Sequence, residues 1–100
     1  MKDNFNDLTP AQTERLSILA EECGEVVQIV GKILRHGYDS FNPVSARRES
    51  NRSLLARELG DLRWIVSLIL DSDDVSKDMV EHFRKSKGER AEQYLHHQRK

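Results

Sequence analysis

The chain has 100 residues and a mass of 11.6 kDa, which predicts a single domain over residues 1–100. Its 16 Lys and Arg residues against 17 Asp and Glu residues give a formal net charge of −1. The cationic excess of a general nucleic-acid or membrane-surface binder is therefore missing. A single cysteine, 37% hydrophobic residues and no stretch apolar enough to cross a bilayer favour a folded protein of the reducing cytoplasm.

The first predicted helix runs from about residue 10 to residue 36. Thr9 as N-cap, Pro10 at the first helical position and Gln12 three residues after the cap together predict its start. Gly37 is typical of a helix end. The apolar stripe that we expect to face the core consists of Leu16, Leu19, Ala20, Cys23, Val27, Val30 and Leu34.

A loop and a second helix follow. The segment 37–50 has no sustained period and contains the dipeptide Asn42-Pro43, which predicts a loop. A loop of 14 residues is long for a compact domain, which favours a functional lid. The second helix is predicted over about 51–71, with Asn51 as its cap. Its apolar face comprises Leu54, Leu55, Leu59, Leu62, Ile65, Val66 and Ile69.

A third helix is predicted to begin in the acidic turn at residues 71–74, and Gly88 is a candidate break within it. No strand-like alternation is present in the sequence. The prediction is therefore an all-α protein of three to four helices in an antiparallel bundle. Because one thin core leaves the flanks of the first two helices under-covered, we expect a homodimer to complete this bundle.

Two acidic motifs carry the functional prediction, EECGE in the first helix and ELGD in the second. Residues three apart share a helix face, so Glu22 projects with Glu25, and Glu58 projects with Asp61. Glu58 falls within the apolar arc of its helix, so its carboxylate should point toward the core. Carboxylates about 5 Å apart at an effective dielectric near 20 repel by roughly 3 kcal/mol. Four such groups on buried ground require a compensating positive charge.

Oxygen ligands of this kind suit a hard cation such as Mg²⁺ or Mn²⁺. A glycine precedes the second acid of each pair, at Gly24 and at Gly60. Because glycine inside a helix costs about 1 kcal/mol relative to alanine, these positions predict either a close crossing of the two helices or room for ligands around an ion. The alternative is that the acids form ordinary salt bridges on solvated helix faces. The basic residues available for such bridges are Arg57, Arg63, Lys32 and Arg35.

EECGE on one helix followed by ELGD on the next resembles the MazG-like members of the all-α nucleoside triphosphate pyrophosphohydrolase superfamily, over roughly residues 9–95. The resemblance implies a dimeric or tetrameric enzyme that converts nucleoside triphosphates to monophosphates and pyrophosphate with Mg²⁺. The implied metal ligands are Glu22, Glu25, Glu58 and Asp61. Glu21 or Glu22 would act as the base that activates water. The stretch between the two motifs is longer than is common in the family.

Several side chains are candidates for substrate contact. Lys32 and Arg35 follow Glu25 on the first helix and could reach phosphate groups. Trp64 lies off the apolar arc of the second helix, where it would stack on a base or fill a subunit interface. Further candidates for phosphate contact in the last helix are Lys85, Lys87 and Arg90. Further candidates for base contact in the loop are Tyr38 and Phe41.

Two other classes of protein remain open at this stage. One is a non-catalytic helical module whose acids bind a structural ion or a basic partner. The other is a di-iron carboxylate bundle, which normally carries E-x-x-H pairs. Glu25 and Asp61 occupy the positions at which that motif has histidine, which disfavours a redox site. The preferred base and sugar and the biological role are not encoded in any motif of the sequence.

Overall fold

The computed structural model of this chain describes residues 5–98. These residues form three α-helices and a short 3₁₀-helix: α1 (Pro10–His36), α2 (Asn51–Asp71), α3 (Lys77–Ala91) and the 3₁₀-helix Glu92–Tyr94. The described part of the chain contains no β-strand, and its isolated β-bridge joins Phe41 to Ser50. The all-α prediction and the predicted bounds of the first two helices are confirmed.

Both ends of α1 have the predicted signals. The Thr9 hydroxyl accepts a hydrogen bond from the Gln12 backbone N–H at 3.1 Å, and the Gln12 side chain accepts one from the Thr9 N–H at 2.9 Å. These reciprocal bonds form a capping box. At the other end, the Gly37 N–H donates to the Ile33 carbonyl at 2.7 Å. The φ of Gly37 is 89°, a value that residues with a Cβ rarely adopt, so glycine is required there.

The start of α2 differs from the prediction. The Ser50 hydroxyl accepts a hydrogen bond from the Ser53 backbone N–H at 3.1 Å, so Ser50 takes the capping role predicted for Asn51. Asn51 is buried, and its side-chain amide donates to the Gly37 carbonyl at 3.1 Å. Its backbone N–H donates to the Ser40 carbonyl at 2.8 Å. Asn51 therefore ties the beginning of α2 to the end of α1.

The loop between α1 and α2 follows an ordered path without regular secondary structure. Arg52 lies over the Tyr38 ring, 4.4 Å from its centroid, and forms an ion pair with Asp39 at 3.2 Å. Arg48 lies over the Phe41 ring at 5.7 Å. Each aromatic ring of the loop is therefore in contact with a guanidinium group, an arrangement that is favourable electrostatically.

The third helix begins later than predicted. The Ser76 hydroxyl accepts a hydrogen bond from the Met79 N–H at 3.2 Å and caps the helix, so the acidic segment 71–74 precedes α3. Asp73 has a φ of 60°, which interrupts the helical path. Gly88 does not break the helix, since α3 continues past it. No side chain of α3 is buried.

The chain divides into two compact units, with the boundary between Leu68 and Ile69 of α2. This division does not test whether residues 1–100 fold as one domain, so the single-domain prediction stays a prediction. Buried apolar side chains of the described residues are Ile29 and Ile65 in the first unit and Ile69 in the second. No described helix combines the length and the apolarity that crossing a membrane requires.

The apolar stripe predicted to be the buried face of α1 is exposed. Leu19 is half-buried, and the other six members of the stripe are exposed. Val27 is 71% exposed and Leu34 is 81% exposed. Glu22 and Ile29, which are buried, lie roughly 120–140° away around the helix axis. The prediction was wrong because α1 has two apolar rows, and periodicity alone cannot determine which row faces its neighbour in the fold. Cys23 is likewise exposed rather than a core residue.

The buried amide of Asn51 provides a test of this fold. We expect Asn51→Ala to lower the free energy of unfolding by about 1–3 kcal/mol, because the Gly37 carbonyl loses its donor. Urea unfolding followed by circular dichroism measures the change. The control is Gln28→Ala on an exposed position of α1, for which a change within about 0.5 kcal/mol is expected. Equal effects of the two substitutions would contradict the role of Asn51.

Candidate metal centre

Four carboxylates from α1 and α2 meet at one place in the first compact unit. Glu22 and Glu25 come from α1, and Glu58 and Asp61 come from α2. One oxygen of each side chain lies within 4.8 Å of the corresponding oxygens of the other three. We call these four residues the carboxylate cluster. Its members are the four residues expected to converge, because a spacing of three residues presents each pair from one helix face.

The cluster extends from a buried position to the surface. Glu22 is only 9% exposed, Glu25 and Glu58 are half-buried, and Asp61 is exposed. The Oε2 atom of Glu22 is buried and has no hydrogen-bond partner. A buried oxygen without a donor or a cation beside it costs free energy. Glu22 therefore brings an unsatisfied buried oxygen to the carboxylate cluster.

Two members of the cluster resist ionisation. Burial raises the pKa of Glu22, and the charges of Glu25, Asp61 and Glu21 raise it further. Burial also raises the pKa of Glu58, followed by the charge of Glu25 and a hydrogen bond with Glu25. Each cause opposes the addition of another negative charge to the cluster. A cation would reverse the balance by favouring the ionised forms.

Surface ion pairs do not account for these acids. Within residues 5–98, none of the four carboxylates forms an ion pair. The sequence suggested Arg57 as a salt-bridge partner of these acids. Arg57 is instead hydrogen-bonded to Glu49 and lowers the pKa of that carboxyl. The charges of Glu58 and Asp61 nevertheless raise the pKa of Arg57. A guanidinium group thus lies near the cluster without neutralising it.

The glycines beside the acids do not mark a close helix crossing. A Cβ atom added at Gly24 or at Gly60 would meet no atom within 4 Å. The predicted close crossing is therefore wrong, whereas the other interpretation, room for ligands around an ion, stays a prediction.

The other residues predicted to act at the site lie in different places. Glu21 is exposed on α1 and lies outside the cluster, although its charge affects Glu22. Lys32 and Arg35 are exposed and line a cavity of about 480 Å³ between the end of α1 and the loop. Trp64 is exposed on α2 and is not part of the cavity wall. The predicted phosphate contacts of α3, Lys85, Lys87 and Arg90, are exposed and belong to the second compact unit.

The cavity includes residues that the sequence pattern did not identify. Glu49, Asn51 and Ser40 contribute to its wall together with Phe41. These residues come from the aperiodic loop and from the first turn of α2. Helical periodicity carries no information about how a loop returns to its helix, so no pattern in the sequence places Glu49, Asn51 and Ser40 beside Phe41.

Comparisons of this chain with protein-family models, with curated proteins and with solved structures found no match. The resemblance to MazG-like pyrophosphohydrolases accordingly depends on the two acidic motifs. What the structure adds is the meeting of all four acids around a buried, unpartnered oxygen.

The raised pKa values predict how stability depends on pH. Without divalent cations, we expect the free energy of unfolding to decrease as pH rises from the ordinary glutamate value of 4.5 through the raised values of Glu22 and Glu58. The folded state binds these protons more tightly than the unfolded state, so their contribution is complete below the unfolded pKa and is lost above the folded one. Urea unfolding in chelator-treated buffers between about pH 4 and about pH 8 measures this dependence.

Glu58→Gln is the matched variant, and we expect it to flatten the dependence because it removes one titrating group. Glu49 acts in the opposite sense, since its pKa is lowered and its stabilisation is lost only as pH falls below 4.5. The two effects therefore occupy different pH ranges. A stability that rises from pH 4.5 upward and is unchanged in Glu58→Gln would contradict the assigned origin of the shifts.

Proposed function

We propose that this chain is a cytoplasmic nucleoside triphosphate pyrophosphohydrolase, which uses water to convert an NTP or dNTP to the monophosphate and pyrophosphate with Mg²⁺, or with Mn²⁺ as a substitute. One observation carries this proposal. The buried Oε2 atom of Glu22 has no partner, and it lies in a group of four carboxylates with no ion pair of their own.

The carboxylate cluster fits a hard divalent cation. Its donors are all oxygens, they lie close together, and burial together with their mutual negative charge raises the pKa of both Glu22 and Glu58. The residues that would hold the ions are Glu22, Glu25, Glu58 and Asp61. When bound, divalent ions supply charge neutralisation for the triphosphate and lower the pKa of a coordinated water.

The chain's own side chains then have separable roles. Glu21 or Glu22 accepts the proton of the attacking water. Lys32 and Arg35, which form no ion pair within the described residues, supply positive charge for the phosphates. Additional phosphate contacts are assigned to Lys85, Lys87 and Arg90. Trp64 is assigned to a subunit interface or to a base.

Pyrophosphate release from a panel of ribo- and deoxyribonucleoside triphosphates, with Mg²⁺ or Mn²⁺, tests the activity. We expect Glu58→Gln and Asp61→Asn to abolish turnover while the fold stays intact or becomes more stable, because each change reduces repulsion in the cluster. Glu14→Gln, at an exposed position of α1 outside the cluster, is the matched control and should retain wild-type turnover.

Full activity in Glu58→Gln or in Asp61→Asn would contradict the assignment of the site. A wild-type protein that binds Mn²⁺ but releases no pyrophosphate from any member of the panel would instead be a non-catalytic helical metal-binding module.

The exposed stripe of α1 supports a homodimer that completes an antiparallel helical bundle. Its members are spaced alternately by four and three residues, which is the heptad pattern of a helix that packs against another helix: Leu16, Ala20, Cys23, Val27, Val30 and Leu34. These side chains face away from Ile29 and remain uncovered within the chain. A second copy would bury them and enlarge a core that is small for a 100-residue protein.

Oligomeric state tests this assembly. We expect light scattering after size exclusion to report a dimer for the wild type and a monomer for Val27→Glu, because a charge in the seam would have to be desolvated. Val44→Glu introduces the same charge at an exposed loop position and should leave the dimer unchanged. A monomeric wild type, or equal behaviour of the two variants, would contradict the proposal.

A further inference from the structure

The cavity between α1 and the loop continues the face that carries the carboxylate cluster. At about 100° per residue, Lys32 projects within about 20° of the direction of Glu25 on α1. Asn51 likewise projects within about 20° of the direction of Glu58 on α2. Lys32 and Asn51 both line the cavity. The cavity and the cluster therefore follow one another along a single groove of the first compact unit.

The cavity and the carboxylate cluster lie a short distance apart along α1 and α2. Leu54, which lines the cavity, precedes Glu58 by one helical turn, or about 6 Å along the axis of α2. On α1, Lys32 is the lining residue nearest to the cluster, about 10 Å beyond Glu25 along the axis. One extended ligand can occupy both places, with Lys32 at the junction between them.

The cavity wall alternates apolar and hydrogen-bonding groups. Phe41, Pro43 and Leu54 present carbon surface, while Ser40 and Asn42 present hydroxyl and amide groups. A flat ring with polar edges and an attached sugar fits such a wall. The volume of about 480 Å³ falls within the range of small-molecule sites, about 300–1,000 Å³.

Glu49 adds a negative charge to one part of a wall that also carries Lys32 and Arg35. Arg57 and Ser53 both donate to its Oε2 atom, and the bond from Arg57 keeps the pKa of this carboxyl below its ordinary value. A carboxylate held ionised in the wall repels a phosphate placed beside it. Its Oε1 atom lies 3.8 Å from the Arg47 guanidinium and can accept a hydrogen bond from an N–H group.

Of the two aromatic side chains in the loop, only Phe41 belongs to the cavity wall. Phe41 is 41% exposed, has Arg48 over its ring, and is fixed by the bridge between its backbone and Ser50. Tyr38 is in contact with Arg52 and does not line the cavity. Phe41 is therefore a stacking surface that is ordered before any ligand arrives.

We infer that this cavity binds the nucleoside portion of a nucleotide, with the base stacked on Phe41 and an N–H of the base donating to Glu49, while Lys32 contacts the adjoining phosphate. The identity of the ligand as a nucleotide rests on the proposed function. The binding site itself does not require that the chain hydrolyse the nucleotide, so the two can be tested separately.

Binding without turnover is the first measurement. The full chain, labelled with ¹⁵N, is titrated with a panel of ribo- and deoxyribonucleoside monophosphates and, separately, with inorganic triphosphate. We expect at least one nucleoside monophosphate to shift the amides of residues 36–51, whereas inorganic triphosphate leaves the loop amides of 40–45 in place. Phe41→Ala should weaken this binding by about tenfold through the loss of stacking. Tyr38→Ala, which removes an aromatic ring from the same loop but not from the cavity, should bind as the wild type does.

Steady-state kinetics provide the second measurement. With the best nucleoside triphosphate of the panel, we expect Phe41→Ala to raise KM by about tenfold and to leave kcat within about twofold, because stacking contributes equally before and during the reaction. Circular dichroism establishes that the variant is folded. If Phe41→Ala is unfolded, Phe41→Leu replaces it, since leucine keeps the apolar volume and lacks the flat ring.

The outcomes separate this inference from the proposed function. Unchanged nucleotide affinity in the folded Phe41 variant, or loop shifts produced by inorganic triphosphate alone, would overturn the nucleoside site even if the chain releases pyrophosphate. Binding that depends on Phe41 in a chain that hydrolyses no triphosphate would support the nucleoside site and overturn the proposed function.

Discussion

Repulsion among four carboxylates, held together by the packing of two helices, is the constraint on which the rest of the structure depends. Their oxygens lie within 4.8 Å of one another, and the innermost of the four side chains is nine-tenths buried. Ile29 of α1 and Ile65 of α2 are buried in the same compact unit. The fold therefore maintains an arrangement of charge that it would not adopt for stability alone, and a cation is the simplest species that would relieve it.

Two faces of α1 carry different kinds of residue. One face carries the carboxylates and Ile29. The opposite face carries an uncovered apolar seam with heptad spacing. Leu16, Val27, Val30 and Leu34 of this seam are among the large apolar side chains left exposed in the described part of the chain. A second copy of α1 is the partner that we propose for them.

Sequence patterns predicted the parts of this structure that depend on local rules. The capping box at Thr9, the helix end at Gly37 and the convergence of Glu22, Glu25, Glu58 and Asp61 all follow from helical geometry and from backbone hydrogen bonding. The resemblance to a nucleotide hydrolase family and the metal itself stay predictions.

The predictions that the structure contradicts failed for physical reasons. Because α1 has two apolar rows and periodicity could not determine which one packs inside the chain, Cys23 and Val27 were assigned to the wrong side. Ser50 caps α2, while the side chain of the neighbouring Asn51 donates to Gly37. Lys32, Arg35 and Phe41 were predicted as substrate contacts, but their meeting in one cavity wall was not predictable, since that wall is made where an aperiodic loop folds back on the helices.

Arg57 interacts electrostatically with both the cavity wall and the carboxylate cluster. Its guanidinium is hydrogen-bonded to Glu49 in the cavity wall, and it also feels the charges of Glu58 and Asp61. Positive charge arriving at the cluster would weaken the second attraction and leave the first intact. A change of charge at the cavity wall or at the carboxylate cluster therefore alters the electrostatic potential at one and the same guanidinium.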